Sequence, residues 1–158
     1  MRQNPADAVG QKLTERRMTV AVAESCTGGL IAKLLTDIPG ASGYFTCGWV
    51  TYSDKAKVTE LGVDKALIDR RGAVSGEVAV SMARGARKRS GADFAVAVTG
   101  IAGPGGGTRE KPVGLVYIAV AGKGRCGAKR FVFSGNRDLI RLKAAETAMD
   151  LLIKRLPV

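Results

Sequence analysis

Hydrophobic positions along the chain follow two rhythms, one repeating as on a helix face and one running almost unbroken for a few residues. Val9 and Leu13, four apart, predict a first helix over Ala6 to Arg17. Met18 to Ala23 is almost wholly apolar, the pattern of a strand buried on both faces. After Glu24 to Gly29 a helical stripe of Leu30, Ile31, Leu34, Leu35 and Ile38 follows, stopped by Pro39-Gly40. Tyr44 to Tyr52, rich in aromatic and β-branched residues, predicts a strand. Ser53 caps a short helix through Leu61 that Gly62 ends, and Asp64 to Arg71 reads as another helix. Ser75 is the N-cap of a longer helix over Gly76 to Arg89, with Val78, Ala79, Met82, Ala83 and Ala86 toward the core. Asp93 to Thr99 is a buried strand and Gly100 to Pro112 a glycine-rich loop. Val113 to Ala121 and Ala128 to Phe133 form a hairpin turning over Gly122 to Gly127. A last helix runs from Arg137 to Leu156 with Leu142, Ala145, Met149, Leu152 and Leu156 on one side.

Helices and strands alternate until the hairpin. That order predicts one α/β domain with a mixed sheet covered by helices on both faces. A length of 158 residues suits one domain, and no repeat, linker or low-complexity segment interrupts it. The sequence has no histidine. Ser-His-Asp triads, Cys-His dyads, HExxH sites and the usual zinc sets are therefore excluded. Lys and Arg number 25 against 14 Asp and Glu, a net charge of +11 that attracts anions without saying which. The basic residues are scattered along the chain with no aromatic-interleaved motif, which argues against nucleic acid as the partner. Three widely spaced cysteines, Cys26, Cys47 and Cys126, make no CxxC pair, so a reducing cytoplasm is expected. No apolar run is built to span a bilayer or to serve as a signal core, so no membrane partner is expected.

In an open α/β sheet, ligands collect beyond the carboxyl ends of the strands. Three loops take that position. Ser25, Cys26 and Thr27 precede Gly28-Gly29, where a hydroxyl can meet a carbonyl or an anion beside free N–H groups, or can simply cap the helix. Cys26 is a poor nucleophile without a histidine to activate it. Lys57 follows Ser53 by one helical turn; a desolvated lysine is a general base, a solvated one is merely surface. Thr99 to Gly107 is neither a P-loop nor a dinucleotide fingerprint, yet its backbone can cradle an oxyanion or a phosphate. Thr108 to Lys111 extends it as a mobile lid. Arg137 and Arg141 lie four apart at a positive helix N-terminus, as a phosphate clamp or as a solvated basic face.

Ala23-Glu24-Ser25-Cys26-Thr27-Gly28-Gly29, Thr51 to Lys57, Gly72-Ala73-Val74-Ser75, Thr99 to Gly107 and Lys111-Pro112-Val113-Gly114 together resemble the C-terminal domain of the CinA competence/damage-inducible proteins. The resemblance covers residues 6 to 156 and includes nicotinamide mononucleotide (NMN) deamidases. It implies a three-layer α/β/α sandwich that hydrolyses a nucleotide carboxamide with no metal or redox cofactor. By position in the motifs it makes Ser25 the nucleophile, with Thr27 the alternative, Lys57 the general base and Tyr52 an aid to proton transfer. It assigns substrate binding to Thr27, Gly28, Gly29, Thr99, Gly100, Gly103, Gly105, Arg137 and Arg141. It implies a small-molecule nucleotide as partner and admits a homodimer. The larger N-terminal domain of full CinA proteins, and any activity of that domain, lies outside this sequence. Two positions depart from the family pattern: Gly76 stands where an acidic residue is common, and Asn136 where Asp is. The rival reading is a nucleotide- or partner-binding domain of the same fold without hydrolysis.

Overall fold

Alternation of valine and alanine along the central strands sets the architecture. The computed structural model describes residues 4–157. Strands β1 (Val20–Glu24), β2 (Phe45–Val50), β3 (Phe94–Gly100), β4 (Leu115–Gly122) and β5 (Arg125–Val132) form one sheet in the order β2-β1-β3-β4-β5. The first three run parallel, and β4 and β5 add antiparallel, so the expected mixed sheet is present. Helices α1 (Pro5–Arg16), α2 (Leu30–Thr36) and α6 (Arg137–Arg155) cover one face, and α3 (Asp54–Leu61), α4 (Lys65–Arg71) and α5 (Gly76–Ser90) the other.

The two faces differ in grain. Val20, Val22, Val96, Val98, Val116, Ile118 and Val120 point toward α1, α2 and α6, where branched side chains fill a thick core layer. Ala21, Ala23, Ala95, Ala97, Ala119 and Ala121 point the other way, against Ala79, Met82, Ala83 and Ala86 of α5. Small residues on both surfaces bring α5 close to the sheet. Gly85 continues that economy of space: a Cβ there would run into the Leu61 carbonyl oxygen at the end of α3.

Several boundaries shift from the sequence expectation. β5 begins at Arg125, and the hairpin turn is only Lys123-Gly124, with Gly124 at φ 72° and Gly122 paired with Arg125. The longer turn inferred from the glycines is absent because Arg125 to Gly127 pair with Val120 to Gly122 in the sheet. β2 stops at Val50 and alternates half-buried with exposed positions, as an edge strand does. α1 starts at Pro5, capped by the Asn4 side chain, and ends before Arg17, which takes a left-handed conformation. α2 ends at Thr36, and a 3₁₀ turn over Ala41–Gly43 leads into β2. Among the described residues no helix is long and apolar enough to cross a membrane.

The order 2-1-3 makes β1 a switch point: the chain leaves it toward α2 on one face and leaves β2 toward α3 on the other. A crevice at the carboxyl ends of β1 and β3 follows from that divergence.

Candidate active site

β1 ends in Glu24, on the same side of the strand as Val20 and Val22, and the fold buries it completely. Its carboxylate accepts from the N–H groups of Ile31 (2.9 Å) and Ala32 (3.0 Å), capping α2 from inside the molecule. Neither Ser25 nor Thr27 performs that capping, because Glu24 already holds the helix end and Gly29 occupies the N-cap position. The sequence signal for Glu24 was its parity with the buried valines, which the motif reading did not use.

Ser25 opens the turn, and its N–H donates to the Val98 carbonyl of β3 (3.0 Å). Its Oγ lies 3.0 Å from Nζ of Lys57. Lys57 projects from α3, whose start is fixed by the Ser53 hydroxyl accepting from the Ala56 N–H (3.1 Å). Only 1% of Lys57 is exposed, whereas Lys55 on the same helix faces solvent. Nζ also donates to the carbonyls of Thr51 (2.8 Å) and Tyr52 (3.3 Å). Burial holds the Lys57 pKa below its ordinary value, against opposing pulls from Asp54 and Cys26. A solvated lysine is ruled out.

Tyr52 reaches Lys57 through its backbone alone. The residue is 58% exposed; its hydroxyl accepts from Nη2 of Arg137 (3.2 Å), and its carbonyl accepts from Lys57 Nζ (3.3 Å). The β-strand has ended at Val50, which frees the Tyr52 side chain to turn toward α6. Burial pushes the Cys26 thiol up to about 11, leaving it protonated and inert at neutral pH.

The two arginines grip loop carbonyls. Arg141 donates to the carbonyls of Cys26 (Nε, 3.1 Å) and Thr27 (Nη2, 3.0 Å), and its Nη2 would sit 3.1 Å from any Cβ at Gly28. Arg137 donates to the Gly103 carbonyl (2.7 Å) as well as to Tyr52. Asn136 accepts from the Leu139 N–H (2.9 Å), so this departure from the family pattern still caps α6. Gly76 begins α5, with only ordinary contact between a Cβ there and the Tyr117 ring.

The turn and the helix start thus bring together Ser25, Lys57, Thr27, Gly28, Gly29 and Arg141. Thr99 and Gly100 close the neighbouring strand end: the Thr99 hydroxyl donates to the Ala73 carbonyl (2.8 Å), and Gly100 packs too tightly on β4 to admit a side chain. Gly103, at φ 77°, joins through Arg137, while Gly105 faces open space. The Thr108 to Lys111 segment is tethered rather than free. It closes on itself through Thr108 N–H to the Lys111 carbonyl (2.8 Å), and Lys111 Nζ donates to the Arg71 carbonyl (2.7 Å). Two buried hydroxyls, of Thr27 and Thr51, have no hydrogen-bond partner among the described residues. Such groups are uncommon in a packed interior and stand available to a ligand.

Fold and site together define a three-layer α/β/α domain with a serine–lysine pair, and no histidine, at the carboxyl edge of its parallel strands. The chain belongs to the CinA family: the model of the CinA C-terminal domain matches residues 2–156. It is 60% identical over 148 residues to a CinA-like protein of Geotalea uraniireducens, covering 94% of this chain and 35% of that protein. A CinA-like protein of Geobacter sulfurreducens is 54% identical over 149 residues, covering 94% and 36%. The chain therefore spans about a third of the length of these curated relatives. Among solved structures, the competence/damage inducible protein CihA of Agrobacterium tumefaciens superimposes with a TM-score of 0.93 at 43% identity, covering 98% of this chain and 96% of that one. A CinA superfamily protein of Escherichia coli superimposes with a TM-score of 0.92 at 34% identity, covering 96% and 88%.

Proposed function

We propose that this domain is an amidohydrolase that converts NMN to nicotinate mononucleotide and ammonia, in pyridine nucleotide recycling in the cytoplasm. The observation that carries the reading is the 3.0 Å contact between Ser25 Oγ and the buried Lys57 Nζ. A neutral amine has two hydrogens and one lone pair. The carbonyls of Thr51 and Tyr52 take the two hydrogens, which leaves the lone pair facing the Ser25 hydroxyl. Lys57 then accepts the serine proton as Oγ attacks the carboxamide carbon. The N–H groups of Cys26, Thr27 and Gly29 make no backbone hydrogen bond among the described residues and are suited to receive the oxyanion. Collapse of the tetrahedral intermediate breaks the C–N bond, and Lys57 returns its proton to the departing ammonia. Water, activated by the same amine, releases the acid and restores Ser25.

Arg137 and Arg141 supply the positive field for the substrate phosphate while holding the two loops that flank Ser25. Serine acyl transfer of this kind calls on no metal or redox cofactor. The test is ammonia release from NMN by the purified protein. Ser25→Ala and Lys57→Arg are expected to lower kcat by about 10³-fold or more, since arginine keeps its proton. Near-normal turnover by Ser25→Ala would sink the nucleophile assignment. Stabilisation of the wild type by NMN without ammonia release would leave a nucleotide-binding domain in place of an enzyme.

A further inference from the structure

Cations that lie far apart in the sequence converge at the end of the sheet opposite Ser25. Arg84, Arg87, Lys88 and Arg89 come from the second half of α5. Lys123 and Arg125 come from the β4–β5 turn, and Lys154 and Arg155 from the end of α6. They line three grooves of about 380, 460 and 660 Å³. The first two grooves share Arg87, Gly122 and Arg125, and the last two share Arg84 and Lys88, so the three form one track. It runs from the end of α6, past the hairpin turn, to the cleft between α3 and α5.

Among the described residues two carboxylates border this track, and both are engaged elsewhere. Asp93 accepts from the Thr19 N–H (2.8 Å) and hydroxyl (3.2 Å), and Glu77 lies 3.6 Å from Arg71. Among the described residues none of the eight cations forms an ion pair with a carboxylate. Two are oriented by carbonyls instead: Arg87 donates to Asp93 O (2.9 Å) and Arg89 to Thr59 O (3.4 Å). Helix dipoles account for the cations in the last turns of α5 and α6, which favour positive charge there. They do not account for Arg84, Lys123 and Arg125.

We infer that this track is a docking surface for the phosphate backbone of a nucleic-acid duplex, separate from the Ser25–Lys57 site. Five of its eight cations are arginines, the side chain whose planar fork matches a phosphate. Among the described residues, the exposed large hydrophobic ones (Val50, Tyr52, Val132, Leu139 and Leu142) all lie off the track. Single strands bind by stacking on exposed aromatics, membranes by inserting apolar side chains, and protein partners through apolar anchors. A duplex backbone needs none of these. It needs spaced positive charge along a groove.

The experiment is fluorescence anisotropy with 20-base-pair DNA and RNA duplexes of mixed sequence, titrated with the full chain across a salt series. Binding should weaken linearly in log affinity against log salt. The combined Arg84→Ala, Lys123→Ala and Arg125→Ala variant should bind at least about tenfold more weakly near 100 mM salt, with a slope shallower by about 2 to 3. A control with the same loss of charge, Lys33→Ala, Lys65→Ala and Lys129→Ala, should stay close to wild type. Unchanged ammonia release and circular dichroism in the first variant would show that the fold and the other site are intact. The inference fails if neither duplex binds at about 100 μM protein in low salt. It also fails if both variants lose affinity equally, or if phosphatidylserine vesicles or polyglutamate compete duplex away at lower charge concentration.

Discussion

Lys57 shows how burial changes the protonation of a residue that is usually on the surface. With 1% of the residue exposed and three oxygens within hydrogen-bond reach of its Nζ, Lys57 has been stripped of water. Desolvation disfavours its charged form, so the folded pKa lies below the ordinary 10.5 of the unfolded chain. Between those two values the unfolded chain binds more protons than the folded one, so stability rises with pH across that window. Below the folded pKa the cost of burying the charge is fully present. Lys57→Met lacks this linkage. The melting temperature of wild type minus that of Lys57→Met should therefore increase from pH 7 toward pH 10. A difference that stays flat or falls would show that Lys57 is not desolvated in solution. In the proposed reaction kcat/KM should climb over the same range as the lone pair becomes available.

At the scale of elements, close approach governs the fold. α5 lies on a sheet face built of alanine, and α3 lies on α5 at Gly85. Glycine inside a helix costs about 1 kcal/mol relative to alanine, so a helix built for propensity alone would avoid it. Here the Leu61 carbonyl occupies the space a side chain would need. Gly85→Ala is thus expected to destabilise by about 1–3 kcal/mol despite its better helix propensity, as overpacking outweighs the backbone gain. A urea titration would read this as a lower midpoint with an unchanged slope. A raised midpoint would mean that α3 moves away without cost. Because α3 carries Lys57, displacing it should also weaken the 3.0 Å contact to Ser25.

Over the whole molecule, a net charge of +11 on 158 residues opposes compactness through self-repulsion. The convergence of eight cations at one end of the sheet makes that repulsion local. Screening relieves it, since the Debye length falls from about 20 Å to about 7 Å between 20 and 200 mM salt. The melting temperature is therefore expected to rise by a few degrees across that range in differential scanning fluorimetry. A fall would point to attractive ion pairs as the dominant surface term, against the few pairs seen among the described residues.

Periodicity, with caps and breakers such as Ser53 and Gly62, determined most elements and their order, because apolar residues at helical or strand spacing hide from water on one face. The lack of histidine excluded histidine chemistry within this sequence, and the loops after the first three strands marked the neighbourhood of the candidate site. Boundaries moved where pairing across space overrode local preference, as at Arg125, whose edge strand was hidden behind turn-like glycines. Only the tertiary structure decided that Lys57 is dry and Lys55 wet, for both are lysines on one short helix and differ only in the direction they face. It alone turned the Tyr52 ring outward, placed Glu24 beneath α2 and set both arginines on loop carbonyls. It also gathered a basic charge that looks dispersed along the chain, since residues 84 to 89, 123 to 125 and 154 to 155 become neighbours only once the sheet and its helices close. Local sequence fixes which segments can form; which side chains lose water depends on contacts between segments far apart in the chain.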